Sequence, residues 1–206
     1  MKLLITGFAP FGGGTDNPSR DCLRMLPSAI EDVEIHTMEL PVTFREAPAV
    51  LLEALERLSP DAVVCLGVAV GRGKITPEKV AINLAHARIP DNEGAQPQEQ
   101  PLAAGGPDGL FSTLPVFELV RTLEQRGIPA EVSYTAGAYV CNCLFYNLMT
   151  WAIPRGIPAG FIHVPAAKDL PLEETTRAVL TVIDCLKLKF TTQFSDLHRT
   201  HCRAYI

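Results

Sequence analysis

The amino-acid sequence predicts an α/β fold, in which a mostly parallel β-sheet lies between layers of helices. Short runs rich in β-branched residues alternate along the chain with longer amphipathic segments, which is typical of this class. The runs that begin at Ala62 and Ala159 are almost entirely apolar, as central strands covered on both faces are. The 206 residues contain no internal repeat and no linker, so we expect residues 1–206 to form a single domain.

The strands are predicted from short apolar or alternating runs bounded by glycine, proline or polar residues. The first run follows the amino terminus and ends before a glycine-rich segment. The last run ends at Pro165, which cannot continue a central strand. The predicted strands span residues 3–6, 34–40, 62–67, 80–84, 130–134 and 159–164.

The helices are predicted from apolar residues at helical spacing and from start signals. Asn17 can cap a helix in which Pro18 takes the favoured first position. Thr43 and Glu46 fit a capping box, and apolar residues follow at helical spacing. Further helices are expected over residues 114–126, from about 141 to 151, and over residues 173–188.

Composition excludes several classes of function. The net charge is −5 and the basic residues are scattered, so we expect no nucleic-acid partner. No apolar run approaches the roughly 20 residues of a membrane span, and the first apolar stretch breaks at Gly7 and Pro10, too early for a signal peptide. We therefore expect a cytoplasmic protein without a membrane partner. In a reducing compartment, most of the six cysteines are expected to be inert packing residues.

The longest irregular stretch, residues 87–107, is rich in proline, glycine, glutamine and asparagine. Loops of this length inside a compact domain are usually functional or mobile. In parallel α/β sheets, ligands bind at the carboxyl ends of the strands. The segments that follow the predicted strands are therefore the candidates for chemistry.

A glycine-rich segment with two aromatic residues follows the first predicted strand. It lacks the patterns of dinucleotide-binding and P-loop sequences. Phe8, Pro10 and Phe11 among the glycines suit an apolar ligand better than a pyrophosphate. A tight turn whose phenylalanines pack in the core is the alternative interpretation.

Cys141 and His163 could form a nucleophile–base pair. Cys141 is predicted in the first turn of a helix, where the macrodipole favours a thiolate. His163 ends an apolar strand one helix later in the chain, so the fold could bring it to Cys141. A buried structural thiol and a core histidine remain the alternatives, and Cys143, deeper in the helix, is expected to be a packing residue.

Two charged residues upstream could complete such a site. Glu78 could orient an imidazole, and Arg88 could donate to an oxyanion, although either residue alone is more often a solvated charge. The carboxyl-terminal segment from His198 to Cys202 resembles a fragment of a metal site. No second cluster has zinc-finger spacing, so we expect a polar tail and no metal.

Taken together and in order, these segments resemble the pyroglutamyl-peptidase I family, also called pyrrolidone carboxyl peptidases. Each motif is weak by itself, whereas their ordered occurrence over nearly the whole chain is specific. The matching segments are Ile5 through Ser19, Leu40 to Phe44, Gly71 through Asn92, Phe111 to Pro115, Ala136 to Asn142 and Gly160 to Pro165.

The resemblance implies a cysteine peptidase that removes an amino-terminal pyroglutamyl residue from peptides. By position in the motifs, Cys141 matches the nucleophile, His163 the general base and Glu78 the acidic member of a triad. Arg88 and the Cys141 backbone N–H match the oxyanion donors. Phe8 and Phe11 match aromatic residues that flank the pyroglutamyl ring. The family further implies a three-layer α/β/α sandwich, a homotetramer, and no cofactor.

Two positions depart from the family pattern. Val70 stands where the family often has glycine, and His86 where it often has aspartate. His86 could change how Arg88 is held or how activity depends on pH.

Two alternative functions remain: a nucleoside phosphorylase-like transferase, and a non-catalytic binding protein that keeps the pocket.

Overall fold

The computed structural model describes the backbone of residues 1–202 and the side chains of residues 1–189. In chain order the strands are β1 (Lys2–Phe8), β2 (Ala29–Ile30), β3 (Val33–Leu40), β4 (Ala62–Val68), β5 (Thr76–Pro77), β6 (Val80–Ile82), β7 (Gly109–Phe111) and β8 (Ala159–Val164). The α-helices are α1 (Pro18–Asp21), α2 (Glu46–Leu58), α3 (Val116–Gln125), α4 (Val140–Ala152) and α5 (Leu172–Cys202). Short 3-10 helices follow α1 and α4.

Six strands form the central sheet in the order β2-β3-β1-β4-β8-β5. The four inner strands are parallel, and the two edge strands, β2 and β5, are antiparallel to their neighbours. The carboxyl ends of β1, β4 and β8 therefore meet at one edge of the sheet. The predicted mostly parallel, mixed sheet is confirmed.

Helices cover both faces of the sheet. Alternate residues of β1 and β4 point to opposite faces, and each set packs against different helices. Leu4 and Val63 belong to a core that includes residues of α2 and α4. Leu3 and Val64 belong to a second core that includes residues of α3 and α5. The chain is therefore an α/β/α sandwich with an apolar layer on each side of the sheet. The assignment of residues 1–206 to a single domain stays a prediction.

The predicted start signals lie where two helices begin. The Asn17 side chain accepts a hydrogen bond from the Ser19 N–H at 3.1 Å, and Pro18 occupies the first helical position. The Thr43 hydroxyl accepts from the Glu46 N–H at 3.1 Å. The Glu46 carboxylate bonds to Arg45 instead of returning to Thr43, so only half of the capping box forms.

The strand predicted over residues 130–134 is wrong as a continuous strand. The segment lies beside β5, but it forms only two isolated bridges, at Ala130 and Ser133. The backbone bonds on either side are made, including Glu131 N–H to Ile75 C=O and Ser133 N–H to Pro77 C=O. Pro77 has no N–H to donate, so the ladder is interrupted in the middle.

Other differences concern the extent of elements. The strand predicted over 80–84 ends at Ile82, and it pairs with β7 in a separate two-stranded sheet instead of joining the central one. The sequence predicts that the last helix ends at Leu188, but the backbone of α5 continues to Cys202. Among the described side chains, Leu186 is the last buried residue of this helix, so the predicted end lies close to the end of its buried face. Within the described residues, no helix is both long and apolar enough to span a bilayer.

The predicted irregular stretch joins β6 to β7 and is held by its own hydrogen bonds. Ala85 and Gln100 exchange both backbone bonds, at 2.7 and 3.0 Å. The Ala87 N–H donates to Pro97 C=O at 2.8 Å, and the Gln98 side chain donates to Ala87 C=O at 2.8 Å. The stretch is thus a folded loop with a defined path over the carboxyl edge of the sheet.

Candidate active site

Cys141 lies in the first turn of α4, as predicted. Tyr139 caps the helix in an extended conformation, and the helix begins at Val140. The N–H groups at a helix start have no helical acceptor, so those of Val140 and Cys141 remain available to a ligand. Cys141 is half-buried, whereas Cys143 is 3% exposed and packs in the core.

Gly67 of β4 relates the position of Cys141 to that of His163. His163 lies at the carboxyl end of β8, directly opposite Gly67 of β4. A Cβ atom added to Gly67 would lie 3.0 Å from the Cys141 sulfur and 2.7 Å from the ring of Phe161. The thiol therefore occupies the space above Gly67, beside the strand position of His163. Among the described residues, no hydrogen bond yet joins this thiol to the imidazole.

Glu78 contacts the imidazole of His163. Nδ1 of His163 lies 2.7 Å from Oε1 of Glu78, and both side chains are buried. The pairing follows from topology, because β5 runs antiparallel to β8 with Thr76 opposite His163. Glu78 comes two residues later and its N–H donates to Phe161 C=O at 2.8 Å. An ionised carboxylate only accepts, so Nδ1 carries a proton and donates it to Glu78; in a neutral imidazole the lone pair is then on Nε2.

The ionisation of Glu78 is favoured by its neighbours. Burial acts to raise the pKa of this carboxyl group. The hydrogen bond and charge of His163, the Ser133 hydroxyl and the Arg72 guanidinium act in the opposite direction and hold the pKa below its usual value. The carboxylate is therefore charged at neutral pH, even though none of its surface is exposed to solvent.

The Cys141 thiol shows the opposite shift. Burial, followed by the negative charge of Glu78, raises the pKa of Cys141 to about 12. Burial and the charge of Glu78 thus outweigh the stabilisation of the thiolate that is expected from the helix start. At neutral pH the resting group is a thiol, and it needs a base to become a nucleophile.

The two phenylalanines occupy different positions. Phe8 is 3% exposed and belongs to the core, where its ring centroid lies 6.5 Å from that of Phe161. The Phe161 ring in turn lies 4.9 Å from that of His163. Phe11 is half-buried at the surface, and its ring lies 5.7 Å from that of Tyr139. The core interpretation therefore fits Phe8, whereas Phe11 remains partly open to a ligand.

The structure shows no contact between Arg88 and Cys141, His163 or Glu78 among the described residues, and the two departures from the family pattern differ in burial. Arg88 is exposed, and in the part of the chain that the structure describes its guanidinium makes no ion pair or hydrogen bond. His86 is half-buried; its N–H donates to Ala138 C=O at 2.9 Å, next to the segment that leads into α4. Val70 is 76% exposed, so its side chain is turned to solvent.

Sequence reasoning missed Arg72, which contacts Glu78 directly. Nη1 of Arg72 lies 2.8 Å from Oε1 of Glu78. The Gly71-Arg72 pair was among the matching segments, but nothing in its spacing indicates which carboxylate it reaches. The contact depends on how the β4–β5 connection folds back.

Sequence reasoning also missed an anchor for the long loop. The buried carboxylate of Asp91 accepts hydrogen bonds from the N–H groups of Phe44, Glu93 and Ala95, at 2.8 to 2.9 Å. The Tyr139 hydroxyl donates to Pro90 C=O at 3.0 Å, and the Tyr139 ring packs edge-on against Phe44. The loop is thereby fastened to Tyr139, the residue that caps α4.

No metal centre is found among the side chains of residues 1–189, where no three His, Cys, Asp or Glu residues are grouped to hold an ion. The segment from His198 to Cys202 lies outside the described side chains, so its assignment as a polar tail stays a prediction.

The α/β fold and this site together define a cysteine-type hydrolase. A thiol at a helix start and an imidazole fixed by a buried carboxylate are the groups that nucleophilic catalysis by cysteine requires. The family model described as pyroglutamyl peptidase matches residues 1–186. The chain belongs to the pyroglutamyl peptidase family.

Individual relatives agree with this assignment. A pyrrolidone-carboxylate peptidase of Streptococcus pyogenes is 43% identical over 187 residues, which is 89% of this chain and 86% of the relative. The crystal structure of pyroglutamyl peptidase I from Bacillus amyloliquefaciens superposes with a TM-score of 0.84 at 43% identity, covering 88% and 92% of the two chains. Pyrrolidone carboxyl peptidase from Pyrococcus furiosus gives 0.86 at 37% identity, covering 90% and 97%. The transferase and binding-protein alternatives are not favoured.

Proposed function

We propose that this protein is a cysteine peptidase that hydrolyses the amide bond after an amino-terminal pyroglutamyl residue. The observation that carries the proposal is the 2.7 Å contact between His163 Nδ1 and Glu78, because it engages one ring nitrogen and leaves Nε2 as the nitrogen that can act as the base. Family membership supports the substrate class, because the relatives are named for pyroglutamyl or pyrrolidone-carboxylate substrates.

The proposed reaction begins with proton transfer. Nε2 of His163 takes the proton from the Cys141 thiol, and Glu78 stabilises the imidazolium that forms. The thiolate sulfur attacks the pyroglutamyl carbonyl carbon and a tetrahedral oxyanion forms. The Cys141 N–H and the Arg88 guanidinium are the proposed donors to this oxygen.

The tetrahedral intermediate then collapses to a thioester. The C–N bond breaks, and His163 returns its proton to the departing amine. Water, deprotonated by the same imidazole, attacks the thioester carbonyl. Pyroglutamate leaves, and the Cys141 thiol is regenerated. The steps need no metal and no organic cofactor.

Recognition of the substrate needs apolar walls and backbone partners. Pyroglutamate is a neutral lactam without an ammonium group, so an acidic pocket would not select it. Phe11, half-buried beside Tyr139, is the proposed side wall, and Phe8, whose ring contacts that of Phe161, is the proposed floor. Polar backbone partners for the lactam would reject analogues that lack it.

Hydrolysis of a chromogenic pyroglutamyl amide tests the function. We expect turnover that a thiol alkylator abolishes, and loss of turnover in Cys141→Ala. Cys143→Ala is the matched control, since this thiol lies two residues further along the same helix and is buried. Absence of turnover by folded, reduced enzyme would overturn the proposal, as would full activity of Cys141→Ala.

We further propose that the protein forms a homotetramer and works in the cytoplasm. Family resemblance and the exposed rings of Phe111 and Phe117, 65% and 49% accessible, support the assembly. The need to keep the Cys141 thiol reduced supports the compartment. Analytical ultracentrifugation tests the first point: a single species of monomer mass would contradict it. Cell fractionation tests the second, and recovery outside the cytoplasm would contradict it.

A further inference from the structure

Arg72 joins three segments of the candidate site through one guanidinium group. Nη1 lies 2.8 Å from Oε1 of Glu78, 3.0 Å from the Thr76 hydroxyl and 3.2 Å from the Ser133 hydroxyl. Nη2 donates to Thr135 C=O at 3.1 Å. The group thus links the β4–β5 connection, the residues at β5 and the segment that precedes α4.

The contact with Glu78 matters because this carboxylate is buried and has few other partners. Oε1 receives both Arg72 and His163, whereas Oε2 has no hydrogen bond within the described part of the chain. A buried carboxylate without a counter-charge would become neutral, or would turn toward water, and would release the imidazole. The guanidinium supplies the counter-charge and fixes the oxygen that binds Nδ1.

The contact with Thr135 reaches toward the nucleophile. Ser133 bonds through its hydroxyl to Thr135 C=O at 3.2 Å, and the Gly137 N–H donates to the Thr135 hydroxyl at 3.1 Å. Four residues after Gly137 the chain reaches Cys141. Arg72 therefore contacts both the acid that orients the base and the segment that delivers the thiol.

We propose that Arg72 is a positioning residue, which holds Glu78 charged and oriented toward His163 and fixes the 133–137 segment relative to it. The inference rests on the proposed roles of Glu78, His163 and Cys141. Arg72 acts through these groups and does not itself touch the reacting atoms. The planar fork of arginine suits this role, because it binds several acceptors at fixed angles, which a lysine ammonium does not do.

The charged groups around Glu78 decide the direction of the pH effect. His163 faces it from β8, Arg72 from the β4–β5 connection, and Cys141 from α4. The neighbouring Lys79 turns away, with its ammonium 5.1 Å from the centre of the Phe111 ring. Without the guanidinium, the pKa of Glu78 rises, and the pKa of Cys141 rises as well, because Arg72 lowers both.

The test compares Arg72→Gln and Arg72→Lys with wild type by steady-state kinetics against pH. For Arg72→Gln we expect kcat to fall by about tenfold or more, KM to stay within about twofold, and the acid limb of kcat/KM to move to higher pH. Arg72→Lys should keep the acid limb and recover part of kcat. Lys74→Gln is the matched control, since Lys74 lies in the same connection and its ion pair is with the exposed Glu131.

A second measurement does not depend on peptidase activity. Iodoacetamide modification of Cys141, followed by peptide mass spectrometry, should require a higher pH in Arg72→Gln than in wild type. If wild type fails to cleave the amide, the proposed function falls, and this measurement still decides the role of Arg72.

Several outcomes would overturn the role of Arg72. Wild-type kcat in Arg72→Gln would do so, as would a lower kcat with an unmoved acid limb and unchanged alkylation, because that pattern indicates a merely structural residue. If Arg72→Gln does not fold, Arg72→Lys decides alone: reduced kcat at unchanged KM supports the proposal, and wild-type kcat overturns it.

Discussion

Gly67 leaves open the space that the Cys141 sulfur occupies. The two residues come from different elements, β4 and α4, and a Cβ atom at position 67 would approach the sulfur to 3.0 Å. The same atom would lie 2.7 Å from the ring of Phe161, a contact that real structures do not tolerate. The absence of a side chain at Gly67 thus leaves room for both the Cys141 sulfur and the Phe161 ring.

Gly67→Ala should therefore lower activity more than stability. The added methyl group displaces either the sulfur or the Phe161 ring, and displacement of a nucleophile by about 1 Å can cost about 100-fold in rate. We expect kcat/KM to fall by about that factor, while overpacking lowers the free energy of unfolding by about 1–3 kcal/mol. Gly73→Ala is the control, because nothing lies within 4 Å of its Cβ position. Wild-type kinetics in Gly67→Ala would contradict the packing argument.

Arg88→Ala should lower kcat by about 10²–10³-fold with little change in KM, as the loss of one oxyanion donor does in other hydrolases. Arg88 is exposed and has no side-chain partner among the described residues, so its removal should not affect folding. Arg45→Ala, which removes another exposed arginine, should have wild-type kinetics. Steady-state kinetics on the pyroglutamyl amide decides: a kcat within about twofold of wild type would remove Arg88 from the proposed mechanism.

The stability of the protein should depend on the ionisation of Glu78. Its pKa in the folded protein lies below the ordinary value of 4.5, so the stabilisation is fully present above that value and is lost as pH falls through the folded pKa. Glu78→Gln cannot titrate. The difference in free energy of unfolding between wild type and this variant should therefore shrink on acidification.

Urea denaturation of both proteins between neutral pH and about pH 3 measures this difference. Glu131→Gln serves as the control, because its side chain is 53% exposed and pairs only at the surface. A difference that stays constant over the whole range would show that folding does not lower the pKa of Glu78.

Asp91→Ala should loosen the long loop and weaken substrate binding. Three backbone N–H groups lose their shared acceptor. A hydrogen bond to a charged group contributes about 2 kcal/mol to the free energy of unfolding, before the loop rearranges. We expect a lower melting temperature and a higher KM, because the loop contacts the Tyr139 side chain. Glu93→Gln, an exposed neighbour whose backbone bond is kept, should match wild type. An unchanged KM together with an unchanged melting temperature would show that Asp91 does not anchor the loop.

Local sequence was sufficient for most of the fold. Apolar runs such as the one from Ala62 identified the inner strands, because burial on both faces leaves a pattern within a few residues. Helix starts were identified by Asn17 and Thr43, whose side chains bond to N–H groups two or three residues away. The prediction of a strand at 130–134 is wrong because the ladder lacks a hydrogen bond at Pro77, a residue of the neighbouring segment. The sequence of 130–134 itself contains no sign of this proline.

The sequence by itself determined the layer order of the fold, the family, and the position of Cys141 at a helix start, since all three depend on short patterns or on their order. Only the tertiary structure decided that Gly67 makes room for the sulfur, that Arg72 reaches Glu78, and that burial outweighs the helix start in setting the pKa of Cys141. These relationships join residues of different elements. They depend on the register of the strands and on the paths of loops, because contact distance and burial are properties of packing and not of local sequence.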